Sequence, residues 1–407
     1  VPEAVIVAMT RSPIGRAIKG SLKDIRPDDL AVQILRAALA QVPELDPNAI
    51  DDLYLGVAEP WGEHGMNVAR VVAVLAGYDH LPASTVNRFC ASSTQTTRMA
   101  FHAIKAGEGD VFVSAGVECV SRYVGFAGAG GGAPEWLNSK THPAAGRSQM
   151  FAQTNEVWTD PRDEGMIPDI FVPMGQTAEN VATIRGLTRQ RLDEWGVISQ
   201  NRAEAAVKSG FFAAEITPVT LPDGTVVSLD DGIRPGVTLE GISGLKPAFR
   251  ENGVCTAANS CPLNDGAAAL VVMSDVKAKQ LGVRPLARVV STGVSALSPE
   301  IMGLGPIEAS RQALKRAGMS IGDMDLYEIN EAFAAQVLPS ADDLGMDFDK
   351  LNIHGGAIAL GHPFGSTGAR ITTTLLNGLR EVDGTFGLET MCVGGGQGMA
   401  IIYERLS

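Results

Sequence analysis

The chain has 407 residues, 45% of them apolar and only 19% charged, which suits two or three packed domains and excludes a disordered polymer. Its 33 basic against 46 acidic residues leave a formal charge of −13, which excludes nucleic acid or an anionic membrane as the main partner, though a phosphorylated ligand needs only a local positive patch. No apolar run approaches the roughly 18 residues of a transmembrane helix.

Val1 to Met9 reads directly as a strand, without the basic, apolar, small-residue order of a signal peptide. Val5–Met9, Leu53–Ala58, Val111–Val117 and Ala267–Met273 are short apolar runs of the kind found in buried strands. Between them lie helical patterns. Pro27-Asp28-Asp29 suits a first turn, and Leu30, Ile34 and Ala38 then share a face. The second half repeats the scheme: Leu286–Val294, Asp325–Ile329, Leu388–Val393 and Met399–Tyr403 read as strands, and Glu308–Ala317 as a helix stopped by Gly318. This is an α/β chain. The 46 glycines and 5% aromatics predict close backbone packing and tight turns.

An internal repeat is legible: Asp51–Glu59 resembles Asp323–Glu331, with Leu53 matching Leu326. The same offset carries Cys90, in a turn of small residues, to Pro363 in a second such turn, so duplication is the expected origin. The middle breaks the alternation. Tyr123 to Asp169 shows no sustained periodicity, and Gly128 to Pro134 must be a loop, so the stretch reads as a lid, binding loop or disordered insert. Thr188 then caps a long helix reaching Gly210, with Leu192, Trp195, Ala203 and Val207 facing inward. The predicted domains are residues 1–121 with 254–283, an insert at 122–253, and 284–407.

The cysteines, Cys90, Cys119, Cys255, Cys261 and Cys392, are odd in number and form no C-x-x-C pair, which argues against a disulfide framework or structural zinc and for a reducing cytoplasm. Cys90 sits where an apolar run turns into a helical pattern, at the positive end of a helix dipole that favours thiolate; a buried small hydrophobe is the plain alternative. His362 is held by Gly361 and Pro363 on a crowded turn, where an ordinary surface histidine is the competing reading. Cys392 precedes Val393-Gly394-Gly395-Gly396-Gln397-Gly398, whose backbone N–H groups suit an oxyanion hole, although glycine-rich hairpins are common. Asn330 follows a buried strand, either as a helix cap or at the strand end where α/β sheets place ligand contacts. The Gly128-x-Gly130-x-x-Ala133 run has no preceding strand and is not read as a dinucleotide fingerprint.

Together, Asn87-Arg88-Phe89-Cys90-Ala91-Ser92-Ser93, Asn330-Glu331-Ala332-Phe333-Ala334, Gly355 to Pro363 and Cys392 to Gly398 resemble the four motif blocks of the thiolases, in family order. Asn264–Ala269 and Met174–Asn180 match further blocks, so the resemblance spans nearly the whole chain. It implies a duplicated, five-layered α/β fold of two βαβαβαββ halves with an inserted loop domain. It also implies an acyltransferase that interconverts 3-ketoacyl-CoA plus CoA with acetyl-CoA plus a shortened acyl-CoA.

By that resemblance Cys90 is the nucleophile, activated by His362, and Cys392 is the acid/base at acetyl C2. Asn330 holds a water that shares an oxyanion site with His362, and the backbone N–H groups of Cys90 and Gly394 form a second. Arg234 approaches the nucleotide phosphate, Met174 and Phe333 line the pantetheine and acyl path, and Cys261 stands near pantetheine. CoA enters as a substrate, with no metal and no redox nucleotide, and a homodimer or homotetramer is implied.

The chain departs from the biosynthetic pattern twice. Ala258-Asn259-Ser260-Cys261 replaces Gly-Asn-Ala-Ser and its hydroxyl, and Pro173 stands where short-chain biosynthetic members have His. The Pro173-Met174-Gly175 form resembles the degradative, β-oxidation members, as does the block Asn330 to Pro339. Three rivals remain: a biosynthetic acetoacetyl-CoA thiolase, a decarboxylating ketoacyl synthase (disfavoured by Cys392), and an inactive carrier or assembly subunit (disfavoured by the intact reactive residues).

Overall fold

The Val-, Ile- and Ala-rich runs pair as strands in the computed structural model, which describes residues 1–123 and 138–407. The first half contains β1 (Ala4–Arg11), β2 (Gly15–Arg16), α1 (Pro27–Ala40), β3 (Asp52–Gly56), α2 (Val68–Leu75), β4 (Ala83–Val86), α3 (Ser92–Ala106) and β5 (Val111–Cys119). Then come α4 (His142–Thr154), α5 (Met174–Arg185), α6 (Arg189–Ser209), the small pair β6 (Val219–Thr220) and β7 (Val226–Val227), and α7 (Leu239–Ser243). β8 (Asn264–Ser274) returns to the first sheet and is followed by α8 (Asp275–Leu281). The second half runs β9 (Ala287–Ala296), α9 (Gly305–Ala317), β10 (Leu326–Ile329), α10 (Ala334–Leu344), α11 (Ala357–Leu360), α12 (Thr367–Glu381), β11 (Phe386–Val393) and β12 (Gln397–Arg405).

The strands follow one hydrogen-bonded path, β10-β11-β12-β9-β1-β8-β5-β3-β4, with β2 on β8. The path bends where β1 meets β9, which share only the pairs Val5↔Arg288 and Ile6↔Ala287. On either side of that seam the two halves face each other. α3 packs on β3 and β5 of one sheet and on β12 of the other, and α12 packs on β1 and β8 and on β10 and β11. α1 and α2 cover the outer face of the first sheet and α9 that of the second. This is the five-layered arrangement, with α3 and α12, each fifteen residues long, as the central layer.

The two central helices differ in burial: α3 keeps His102 exposed at its C-terminal end, whereas α12 is enclosed. Ile371, Leu375, Leu376 and Leu379 form the apolar stripe legible in the sequence, yet every residue of α12 from Thr367 to Leu379 is buried. Its threonines are accommodated because Thr372, Thr373 and Thr374 donate to the carbonyls of Gly368, Ala369 and Arg370, one turn back. A buried hydroxyl so satisfied avoids the ~1–3 kcal/mol of an orphaned polar group.

Two sequence expectations need correction. Within Tyr123–Asp169, α4 forms a thirteen-residue helix. The Gly128–Pro134 segment lies outside the described residues. On α6, capped by the Thr188 hydroxyl and closed by left-handed Gly210, Leu192, Trp195 and Ala203 are buried as expected. Val207 is 46% exposed, because the last turn steps three residues to buried Ala206 rather than four.

Glycines set the spacing of the layers. A Cβ on Gly116 of β5 would lie 2.1 Å from the Gly365 carbonyl oxygen, and one on Gly56 of β3 would lie 2.6 Å from the Ser93 nitrogen. Between the helices, a Cβ on Gly368 would sit 2.3 Å from the Thr94 nitrogen. The turns leading into α3 and α12 therefore rest on bare backbone. Gly116→Ala should lower stability by about 1–3 kcal/mol, the scale of core overpacking, read as a drop in thermal midpoint; an unchanged midpoint would show that the turn can shift freely.

Candidate active site

The nucleophile candidate is presented by a loop held together locally. After β4, Asn87 accepts the Phe89 N–H at 2.8 Å and donates to the Ala58 carbonyl at 3.0 Å. The Ser92 hydroxyl accepts the Arg88 N–H and donates to the Phe89 carbonyl. Phe89 pays for the turn with a left-handed φ of +44°, rare for an aromatic residue. Cys90 follows in a short 3-10 turn that runs into α3.

The Gly394 N–H points at the Cys90 sulfur. Burial nevertheless pushes the Cys90 thiol up to about 12, with the Glu118 and Glu59 carboxylates adding to the rise. Desolvation thus outweighs the helix-end field that the sequence led us to expect would favour thiolate.

His362 is fixed from three directions. Gly361 takes φ +114°, and the His362 backbone N–H donates to Asn264 Oδ1 at 2.9 Å. Its Nδ1 lies 2.7 Å from Thr367 Oγ1, and that hydroxyl is placed to donate to the Pro363 carbonyl at 3.0 Å. With its one proton committed there, Thr367 accepts Nδ1–H, which leaves Nε2 as the acceptor. Nε2 meets Asn330 Nδ2 at 3.2 Å, while the buried Asn330 Oδ1 has no partner in the protein. Burial, with Arg370 acting in the same direction, pushes the imidazole down to about 3.

Cys392 lies near the end of β11, cross-paired with Gly398, and is fully buried. The hairpin tip Gly394-Gly395-Gly396 turns through φ +73° and +77° at its last two residues. It is tied to the nucleophile loop: Arg88 donates to Gln397 Oε1 at 2.7 Å, and Gln397 donates to the Gly394 carbonyl at 3.2 Å. Burial raises the Cys392 thiol, and the neighbouring Cys90 and Cys261 sulfurs raise it further. Three thiols from distant parts of the chain therefore converge. Cys261 is half-buried, its N–H on the Ala332 carbonyl at 3.0 Å, and burial raises its thiol as well.

Phe333 is buried and meets Phe249 edge-on at 5.7 Å. Phe249 covers Gly175, where a Cβ would fall 2.1 Å from the ring, and half-buried Met174 opens the same helix. Arg234 is exposed on the loop after β7, its backbone N–H donated to Gln200 Oε1 rather than toward the thiols.

Other residues of the site escaped the sequence reading. Asn264 and Thr367 orient His362. Glu118, fully buried, accepts the N–H groups of Ala58, Glu59 and Gly365 and is pushed up to about 7 by burial. Glu331 gathers Trp195, Ser199, Asn352 and the Ile358 N–H. An acid closing the buried run Val111–Val117 was the available signal for Glu118; nothing local marks Thr367. Among the described residues no three His, Cys, Asp or Glu side chains are grouped to hold a metal ion.

This arrangement supplies a nucleophile, an imidazole acceptor, a second thiol for proton transfer and two sets of hydrogen-bond donors. His362 should stay neutral from about pH 8 down to pH 5 in the free protein, read from its ring 15N shifts; Nε2 should show as the bare nitrogen, and a titration near the ordinary histidine value would refute the burial argument.

Known proteins of one family match the chain along its length. Residues 4–276 match the N-terminal domain of thiolase and residues 283–405 its C-terminal domain. The chain is 42% identical to the 3-ketoacyl-CoA thiolase of Aeromonas hydrophila, over 99% of this chain and 100% of that protein. It is 43% identical to the enzyme of the same name from Serratia proteamaculans, over 99% of each. Among solved structures, the dimeric peroxisomal thiolase of Saccharomyces cerevisiae superposes with a TM-score of 0.87 at 34% identity, covering 99% of this chain and 97% of that one. The acetyl-CoA acetyltransferase of Bacillus anthracis gives a TM-score of 0.85 at 37% identity, covering 100% and 99%. With both halves matched and the reactive residues gathered between them, the chain belongs to the thiolase family.

Proposed function

We propose that this protein is a 3-ketoacyl-CoA thiolase, an acyltransferase that cleaves 3-ketoacyl-CoA with CoA to give acetyl-CoA and a shortened acyl-CoA. The observation that carries the reading is that the Cys90 loop is tied by Arg88 to the Cys392–Gly398 hairpin, whose Gly394 N–H reaches the Cys90 sulfur, while His362 is held with Nε2 free to accept a proton. In this mechanism Cys90 attacks the C3 carbonyl and passes its proton to His362 Nε2. The C2–C3 bond breaks, and the Cys392 thiol protonates the acetyl-CoA enolate at C2. Cys392, now a thiolate, takes the proton of the incoming CoA thiol, whose sulfur displaces the acyl group from Cys90. Cys90 recovers its proton from His362.

Each charged intermediate needs donors that are already in place. Oxygen negative charge at C3 would lie against the Cys90 and Gly394 N–H groups. The thioester enolate would lie against His362 Nε2–H and a water accepted by the unpartnered Asn330 Oδ1. Met174 and Phe333 would line the pantetheine and acyl path, Cys261 would stand beside it, and Arg234 would meet the nucleotide phosphate. CoA serves as substrate, and none of these steps calls on a metal or a redox nucleotide.

The dimeric yeast relative and the free edge of β4 support a homodimer, or a homotetramer built from it. Five free cysteines support a reducing cytoplasm, and no helix among the described residues is long and apolar enough to cross a membrane.

Incubation with CoA and 3-ketoacyl-CoAs of graded length, followed by loss of magnesium–enolate absorbance and by acetyl-CoA formation, tests the reading; consumption of none of them would overturn it. Asn330→Ala should lower kcat about 100-fold, roughly 3 kcal/mol of barrier, with a much smaller change in KM. An unchanged kcat would remove Asn330 from the oxyanion site.

A further inference from the structure

Two apolar side chains stand open to solvent beside the nucleophile, and none of the chemical steps uses them. Phe89 and Ile170 are each 39% exposed. Phe89 keeps a left-handed φ that glycine would adopt without strain, so its ring is retained for what it touches. That ring lies over the hairpin tip. Its Cγ is 3.3 Å from where a Cβ on Gly394 would stand, and its Cε2 is 3.7 Å from the same point on Gly395. Ile170 Cδ1 comes within 3.4 Å of that second point from a distant part of the chain. Gly394 is also the residue whose N–H reaches the Cys90 sulfur.

Ile170 is held there by a buried polar network that takes no part in the chemistry. Glu300 accepts the Asp169 N–H at 2.9 Å, Arg147 Nη1 at 3.0 Å and Trp158 Nε1 at 2.6 Å. Asp169 in turn accepts the Ser148 hydroxyl at 2.7 Å and the Phe171 N–H at 3.0 Å, so the residues on both sides of Ile170 are tied down. Arg147, Asp169 and Glu300 are all buried. A buried ion pair adds little net stability, so what this network supplies is the placement of Ile170. Met174 lies four residues further on and opens α5, so one anchored segment runs from the hairpin tip to the proposed pantetheine path.

We propose that Phe89 and Ile170 form the wall that receives the acyl group handed to Cys90, and that they select extended apolar acyl groups over acetyl. An acyl group whose carbonyl oxygen meets the Gly394 N–H lies beside this turn, and each methylene laid on the wall leaves water. An acetyl group is too short to use it. This rests on the thiolase reading, in which Cys90 carries the acyl group, and it names the class of acyl group carried.

The experiment has two arms, both on the full chain. In the first, kcat/KM is measured for 3-ketodecanoyl-CoA and for acetoacetyl-CoA. Wild type should favour the longer substrate. Ile170→Asn should lower the ratio of the two values about ten-fold, and Ile170→Leu should keep it within about two-fold. Phe89→Leu should move the ratio in the same direction as Ile170→Asn, and it decides the matter if the Asn variant does not fold. In the second arm, Cys90 is alkylated with N-octylmaleimide or N-ethylmaleimide and followed by peptide mass, each rate divided by that of free N-acetylcysteine. Wild type should prefer the octyl reagent, and Ile170→Asn should weaken that preference about ten-fold.

A wild type with the higher kcat/KM for acetoacetyl-CoA, or with no octyl preference, would overturn the proposal. So would a folded Ile170→Asn protein with the wild-type ratio, or Ile170→Leu behaving like Ile170→Asn; cleavage by wild type would leave the thiolase reading standing in each case. A protein that cleaves neither substrate but shows the octyl preference and its loss would sink the thiolase reading and leave the wall at Cys90 in place.

Discussion

Two helix starts can touch only if one of them gives up its side chain, and Gly368 does so against Thr94. That contact fixes the molecule's centre. It brings the N-terminal ends of α3 and α12 together, and with them the turns that carry Cys90 and His362. Gly56 and Gly116 extend the same constraint to the sheet, where the turns lie on backbone with no side chain between. Glu118 then locks the arrangement by accepting N–H groups from the loop after β3 and from Gly365 at once. The reactive residues are therefore positioned by main chain, which moves far less than side chains in a close-packed interior.

The same burial sets the electrostatic character of the site. Thiols are raised, the imidazole is lowered, and the resting centre carries little charge at neutral pH. Reactivity is therefore deferred until a substrate supplies a carbonyl for the thiol to attack and donors such as the Gly394 N–H have an oxyanion to stabilise. In a dry site those donors act at low dielectric and need no reorganisation at the moment of reaction.

Much of this was legible beforehand, for identifiable reasons. Buried strands announce themselves as uninterrupted Val, Ile and Ala runs, and each run read as a strand pairs in the sheet. Thr188 and Gly210 bounded α6 correctly because caps depend on local chemistry. His362 stood out because Gly361 and Pro363 hold it on a turn, and Cys90, Cys392 and Asn330 because they lie at the ends of apolar runs; their roles came from the resemblance of the four motif blocks to the thiolases. What failed depended on tertiary context. The ionisation of Cys90 follows from desolvation, which no local pattern encodes. Thr367 and Asn264 serve His362 from positions that look like ordinary helix and strand residues until the layers close. α4 was missed because a helix beginning His142-Pro143 and containing Gly146 has weak periodicity of its own.

The burial of α12 on every side has a consequence for how the protein is made. Synthesis delivers α3 with β3, β4 and β5 early, while the helix that must lie beside it emerges only near the end. Until then the inner surface of the first sheet is covered on one flank alone, and the nascent chain on the ribosome carries an apolar trough awaiting its late partner. Exposed surface of that kind is where association with other chains competes with folding, and only the arrival of α12 removes it.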